Sequence, residues 1–179
     1  GDWSSDVCSS DLSSLTVFVD VSAGGPTFVD SAVRLAASLL REGQTLGLPV
    51  AAAAGGQVTP AGRGTDALHA ALHLLARLDP DPAPPALPVT RAGGNLIILT
   101  ARPSADLTTQ ALRARATASR VSIVALPEGF YLEPGEQPRR QWAGLPDAVR
   151  DLERRAAVLA ESGILVYVLR GNQSVLTQI

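Results

Sequence analysis

The chain has 179 residues, of which 46% are hydrophobic and 18% are charged. This composition excludes a disordered tail, because a chain so rich in apolar residues can bury a core, and the length is that of one domain. All 15 basic residues are arginine, and the formal net charge is −2. The arginines are dispersed among a similar number of acids, so the sequence does not predict a nucleic-acid-binding surface. It contains no run of about 18 apolar residues and therefore no predicted membrane span.

The first twelve residues, Gly1–Leu12, are left out of the fold prediction. Residues 6–11 (DVCSSD) are what the codons GAC GTG TGC TCT TCC GAT encode, and with their neighbours they are similar to one reading frame of a widely used sequencing adapter. The segment holds the single cysteine and three of the acids, so without it the net charge becomes +1. Residues 13–179 are expected to form one domain without disulfide or thiolate chemistry.

Apolar runs and amphipathic stretches alternate along this domain. The predicted strands are Leu15–Asp20, Leu46–Ala54, Asn95–Thr100, Val121–Leu126 and Ile164–Leu169, with a short return strand at Gln57–Thr59. Helices are predicted from about Thr27 (capped by Thr27 and Asp30 and stopped by Gly43), Thr65, Ser104 and Asp147. The alternation predicts a three-layer, doubly wound α/β fold with a mostly parallel sheet and helices on both faces, similar to von Willebrand factor A and Rossmann domains.

The loop after the first strand carries the first candidate site, because open α/β sheets bind ligands beyond the carboxyl ends of their strands. Residues 20–24 (DVSAG) resemble the metal-dependent adhesion site of von Willebrand factor A domains, in which an Asp-x-Ser-x-Ser loop, a threonine and another acid hold Mg²⁺. The resemblance implies that Asp20, Ser22 and Thr65 could bind Mg²⁺. The match is partial, since Gly24 replaces the second serine and residues 101–102 (AR) replace the last acid.

Two other interpretations of these polar residues stay open. Asp20 could instead form a structural ion pair with Arg63 or Arg102. His69 and His73 are four residues apart on a predicted helix, but Ala70 replaces the glutamate of the zinc-protease motif, so we expect them to be partly buried residues at the edge of the helix. A hydrolase would need one of these histidines beside Ser22 or Thr65.

The long irregular stretch Pro127–Pro146 is the second candidate site. It contains aromatic residues and arginines, which are enriched at protein interfaces: Phe130, Tyr131, Arg139, Arg140 and Trp142. We predict that these residues bind a protein partner. The alternative is that the aromatic side chains fold back and cover the core.

The order of the motifs also resembles one bacterial family. Residues 17–22 (VFVDVS), 33–40 (VRLAASLL), 47–50 (GLPV), 60–64 (PAGRG) and 166–168 (VYV) are similar to the C-terminal, von Willebrand factor A-like domain of the family called domain of unknown function 58. The resemblance covers approximately residues 15–171. It implies a cytoplasmic domain whose upstream segments anchor the protein to a membrane, and an association with MoxR-type AAA ATPases.

These observations lead to one functional expectation and one alternative. We expect a non-enzymatic scaffold that has a degenerate adhesion site and binds a protein partner within a membrane-associated assembly linked to a MoxR-type AAA ATPase, with no nucleic acid and no required cofactor. The alternative is a domain that binds Mg²⁺ or a small molecule.

Overall fold

The computed structural model describes residues 13–127 and 147–169, and these residues form the three-layer α/β fold that the sequence predicts. The elements are β1 (Leu15–Val19), α1 (Pro26–Thr45), β2 (Val50–Ala54), β3 (Gln57–Val58), α2 (Thr65–Ala76), β4 (Asn95–Thr100), α3 (Ala105–Ala114), β5 (Arg120–Ala125), α4 (Asp147–Glu161) and β6 (Ile164–Val168). Within these two ranges, no helix has both the length and the apolar character needed to cross a membrane.

The six strands form one sheet in the order β3-β2-β1-β4-β5-β6. All neighbours are parallel except β3, which runs antiparallel to β2. Leu15, the first residue of β1, lies opposite both Val50 and Asn95, so these three strands start level with one another. The sheet therefore has an amino edge, where the parallel strands begin, and a carboxyl edge, where they end.

The sheet has a separate apolar core on each face. Alternate residues of β1 point to opposite faces, so Val17 and Val19 join the core beneath α1 and α2, while Phe18 joins the core beneath α3 and α4. A strand covered on both faces has no polar side to its sequence, and all five residues of β1 are buried.

The first helix differs from its predicted ends. It begins at Pro26 with Gly25 as the N-cap and no side-chain cap, so the predicted cap formed by Thr27 and Asp30 is wrong. A proline in the first turn costs no hydrogen bond, because its missing N–H would have no partner inside the helix. The helix also continues beyond Gly43. A Cβ atom there would lie 2.8 Å from Leu15, so this glycine allows the helix to approach the sheet closely.

Helices α3 and α4 follow common sequence rules at their ends and on their surfaces. The hydroxyl of Ser104 caps α3 by accepting a hydrogen bond from the backbone N–H of Leu107 at 3.0 Å. Gly163 follows α4 with a φ of 85°, a left-handed conformation that favours glycine. On α4, Arg155 Nε donates to Asp151 across one turn at 3.0 Å.

Candidate functional site at the carboxyl edge

The carboxyl edge between β1 and β4 is the point at which the direction of winding changes. The chain leaves β1 towards α1 on one face of the sheet and leaves β4 towards α3 on the other face. Loops that diverge in this way open a crevice, the usual ligand position in doubly wound folds. Asp20 directly follows β1, and Thr100 is the last residue of β4.

Asp20 connects these two strand ends through its carboxylate. Thr100 Oγ1 donates a hydrogen bond to Asp20 Oδ2 at 2.8 Å. The backbone N–H of Ser22 donates to Asp20 Oδ1 at 3.0 Å, and the Ser22 hydroxyl donates to the same oxygen. Asp20 is 2% exposed and Thr100 is fully buried. Three donors thus compensate the carboxylate for the loss of water.

The ion-pair interpretation of Asp20 is not supported by the described contacts. Arg63 Nε donates to the carbonyl oxygen of Gly47, which lies just before β2 at the amino edge of the sheet. Arg102 is exposed. Asp20 forms no ion pair with any residue in the described ranges, and its partners there are neutral donors.

Gly24 shows why the loop departs from the adhesion-site pattern. A Cβ atom at this position would lie 2.6 Å from the ring of Phe28, whose side chain is completely buried beneath α1. A serine here would displace that ring from the core. The glycine is therefore required by packing against the first turns of α1, and the second hydroxyl of the motif has no room.

Thr65 lies at the opposite edge of the sheet, so its predicted place beside Asp20 and Ser22 is wrong. The antiparallel strand β3 carries the chain back to the amino edge, where Gly62 pairs with Val50, three residues before Thr65. Val50 is level with Leu15, and the five residues from Leu15 to Asp20 span about 16 Å. Ligands of one Mg²⁺ ion lie about 2 Å from it, so Thr65 is too far from Asp20 and Ser22 to bind the same ion.

Asp81 is an acid at the carboxyl edge that the sequence analysis missed. Helix α2 starts at the amino edge and returns the chain to the carboxyl edge, where the N–H of Asp81 donates to the carbonyl oxygen of Val21 at 3.0 Å. Asp81 Oδ1 accepts a hydrogen bond from the N–H of Ala83 at 2.9 Å. Asp20, Ser22 and Asp81 line one small cleft of about 180 Å³.

The Mg²⁺ set implied by the resemblance does not fit these residues. Thr65 is at the other edge, Gly24 has no room for a hydroxyl, and Ala101, which is 3% exposed, replaces the last acid. Among the described residues there is no group of three or more His, Cys, Asp or Glu side chains that could hold a metal ion. The cleft is also smaller than the roughly 300 Å³ at which small-molecule pockets usually begin.

The hydrolase hypothesis lacks its base. His69 and His73 are both exposed on α2, so the expectation that they are partly buried is wrong. His73 Nε2 lies 3.4 Å from a guanidinium nitrogen of Arg77. Neither histidine hydrogen-bonds to Ser22 or Thr65 in the described structure, and the Ser22 hydroxyl donates to Asp20 instead. Within the described ranges, Ser22 therefore has no histidine base, and its hydroxyl is paired with the Asp20 carboxylate.

A second candidate surface lies on the sheet face that carries α1, and the sequence analysis did not single it out. We name it the apolar strip and define it by Leu39, Ile97, Val124, Leu165 and Tyr167. These residues line a groove of about 540 Å³ between α1 and the outer strand β6. Tyr167 is 53% exposed and Leu165 is 36% exposed.

The strip is open because the helices cover the two faces of the sheet unequally. In β6, Ile164, Val166 and Val168 face the core beneath α3 and α4, whereas Leu165 and Tyr167 point to the face of α1. Helix α1 packs on β1, β2 and β4. Within the described ranges, no helix lies over β5 and β6 on that face.

Two sequence predictions fall outside the described residues and remain predictions. One is the partner-binding role of Phe130, Tyr131, Arg139, Arg140 and Trp142. The other is the adapter origin of Gly1–Leu12. No protein-family model matches the chain, and no curated protein matches it. Any functional proposal therefore depends on the two surfaces just described.

Proposed function

We propose that this chain is a non-enzymatic protein-binding domain and that the apolar strip is its binding surface. The observation that carries the proposal is the exposure of Leu165 and Tyr167 on a strand whose other face packs on the core beneath α3 and α4. A folded domain gains stability by covering such side chains, so an open apolar groove is a common mark of a binding site.

The size of the strip supports a specific contact. A buried tyrosine removes about 200 Å² from water, so the exposed half of Tyr167 corresponds to roughly 100 Å². Covering that area contributes at most about 2.5 kcal/mol at 25 cal/mol per Å², before the costs of association are subtracted. This is the range of interface residues that dominate binding energy, among which tyrosine is enriched.

The carboxyl edge supports a structural role better than a binding role. The acceptor oxygens of Asp20 are engaged with Thr100 and Ser22, and the carboxylate is 2% exposed. A partner's side chain could reach it only after these hydrogen bonds break. The resemblance to the domain of unknown function 58 family still suggests what the partner could be, namely a component of an assembly that contains a MoxR-type AAA ATPase.

Photocrosslinking of the intact chain tests the proposal. A benzoylphenylalanine crosslinker replaces Tyr167 in one variant and Leu112 in the control, since Leu112 is also a surface-exposed apolar residue (41%) but lies on α3, on the other face of the sheet. In a bacterial extract we expect the crosslinker at 167 to capture a discrete protein that is not captured at 112. The same captured proteins at both positions would refute the proposal.

A further inference from the structure

We propose that the apolar strip accepts a single amphipathic helix of a partner protein, and that this helix has an acidic last turn. The inference rests on the proposed function and specifies the chemistry of the partner. Three features of the described residues carry it: the width of the strip, the helices on the opposite face, and the charge at one end.

The width of the strip matches one helix. The strip extends across three neighbouring strands, β4, β5 and β6, and adjacent strands are about 4.8 Å apart. The distance from β4 to β6 is thus roughly 9.6 Å, close to the diameter of a helix and to the 8–10 Å at which two helix axes pack. Leu39 of α1 forms one wall, where the side chains of a second helix would interlock with it.

The opposite face shows how the same strands are covered elsewhere. There, β4, β5 and β6 pack against α3 and α4, through Leu107 and Ala111 of α3 and Val149 and Leu152 of α4. On the side of α1, the described chain provides no such helix over β5 and β6. A helix on the strip would complete the outer layer beside α1, whereas an added strand would leave the face of Tyr167 open.

The charge at the amino edge sets the direction of that helix. Arg120 begins β5, is exposed, and lines the amino end of the groove beside Asn95. The described residues that line the groove include no acid. A helix C-terminus carries negative partial charge, which favours its position beside the guanidinium. An acid in the last turn is unfavourable in an isolated helix, but here pairing with Arg120 would compensate it.

The same charge argues against a second copy of this chain. Two strips facing each other would each bring an arginine and no acid from their described linings. A partner helix with complementary charge would have apolar residues at i, i+3, i+4 and i+7 and Asp or Glu near its end. The five residues of β6 are about 16 Å long, so about three helical turns would cover the strip.

Three displayed peptide libraries test this inference on the intact chain. One library has apolar residues at helical spacing, one alternates apolar and polar residues as a strand does, and one is proline-rich. We expect enrichment of the helical library alone, with Asp or Glu selected in the last turn. Tyr167→Lys should weaken the selected peptides at least 30-fold, roughly the effect of a dominant interface residue, while Leu112→Lys should leave their affinity unchanged.

A charge exchange tests the direction of the helix. In the Arg120→Glu variant, selection should favour Lys or Arg in the last turn, and the original peptides should bind 3- to 10-fold more weakly. Selection of the same acidic peptides by both proteins would contradict the proposed direction.

The outcomes separate this inference from the proposed function. Enrichment of extended or proline-rich peptides that still require Tyr167 would overturn the helix and leave the protein-binding role intact. A concentration-dependent dimer in light scattering that Tyr167→Lys abolishes would overturn the partner helix in favour of a second copy. If no library is enriched, the helix is refuted, and the crosslinking at position 167 decides separately whether the binding role survives.

Discussion

Replacing Asp20 by alanine tests whether its carboxylate stabilises the fold or is kept for binding a ligand at a cost in stability. The change removes the acceptor of three hydrogen bonds, two from Ser22 and one from Thr100. The Thr100 hydroxyl is fully buried, so in the variant no water can easily replace the lost acceptor. Ser22 is only partly buried and can bond to water instead.

The expected loss of stability follows from these contacts. An unsatisfied buried hydroxyl costs about 1–3 kcal/mol, and the two Ser22 bonds add about 1 kcal/mol once water replaces them. We expect Asp20→Ala to lower the free energy of unfolding by about 2–4 kcal/mol. Asp20→Asn keeps one acceptor oxygen in nearly the same place, so the loss should be about 1–2 kcal/mol.

Equilibrium unfolding in urea, followed by circular dichroism, measures these values. Thr109→Ala provides the control, because Thr109 is exposed and its hydroxyl donates to the backbone carbonyl of Ala105 on the surface of α3. It should change stability by less than about 0.5 kcal/mol. An Asp20→Ala variant as stable as the parent, or more stable, would refute the structural role and indicate a carboxylate kept for binding.

Three further results are expected. Addition of millimolar Mg²⁺ or Mn²⁺ should produce no calorimetric heat and no thermal shift, since the predicted ligand set is not assembled; a shift that disappears in Asp20→Asn would contradict this. Gly24→Ser should not create a metal response and should destabilise the fold by about 1–3 kcal/mol in thermal unfolding, because its Cβ would collide with Phe28. In urea unfolding, Gly163→Ala should lower the free energy of unfolding more than Gly47→Ala does. Both glycines have positive φ, which costs an alanine about 1–2 kcal/mol. Only at Gly163 would the added Cβ also collide with Arg115. Equal losses would show that the guanidinium moves aside freely.

The layer order and most element positions could be predicted from the sequence because they depend on local patterns. Continuous apolar runs such as residues 95–100 (NLIILT) become strands buried on both faces, and the stop after α4 at Gly163 needs only a left-handed residue. The end of α1 could not be predicted in this way. Gly43 resembles a helix stop in sequence but serves a tertiary contact with Leu15.

The candidate site was predictable only in part, because it depends on the direction of one very short strand. The Asp20–Ser22 contact lies within one loop and follows from the sequence. The place of Thr65 depends on β3, whose two residues, Gln57 and Val58, reverse the chain and send it to the amino edge. The return strand itself was predicted, and Gly55 and Gly56, both with positive φ, form its hairpin turn, but Thr65 was still placed beside Asp20.

The apolar strip could not be predicted from the sequence at all. Residues 164–168 (ILVYV) have the pattern of a strand that is covered on both faces. A strand with one apolar face left exposed has the same sequence pattern. Only the placement of α1 over β1, β2 and β4 shows that Leu165 and Tyr167 are open.

Affinity purification with two variants of the intact chain, compared by quantitative mass spectrometry, tests most directly whether binding occurs at the apolar strip or at the carboxyl edge. One variant is Tyr167→Lys and the other is Asp20→Asn, each confirmed to be folded by circular dichroism. We predict that the Tyr167 variant loses the proteins that the parent retains, whereas the Asp20 variant retains them. Loss in the Asp20 variant, with full retention in the Tyr167 variant, would contradict the account and return the binding site to the carboxyl edge.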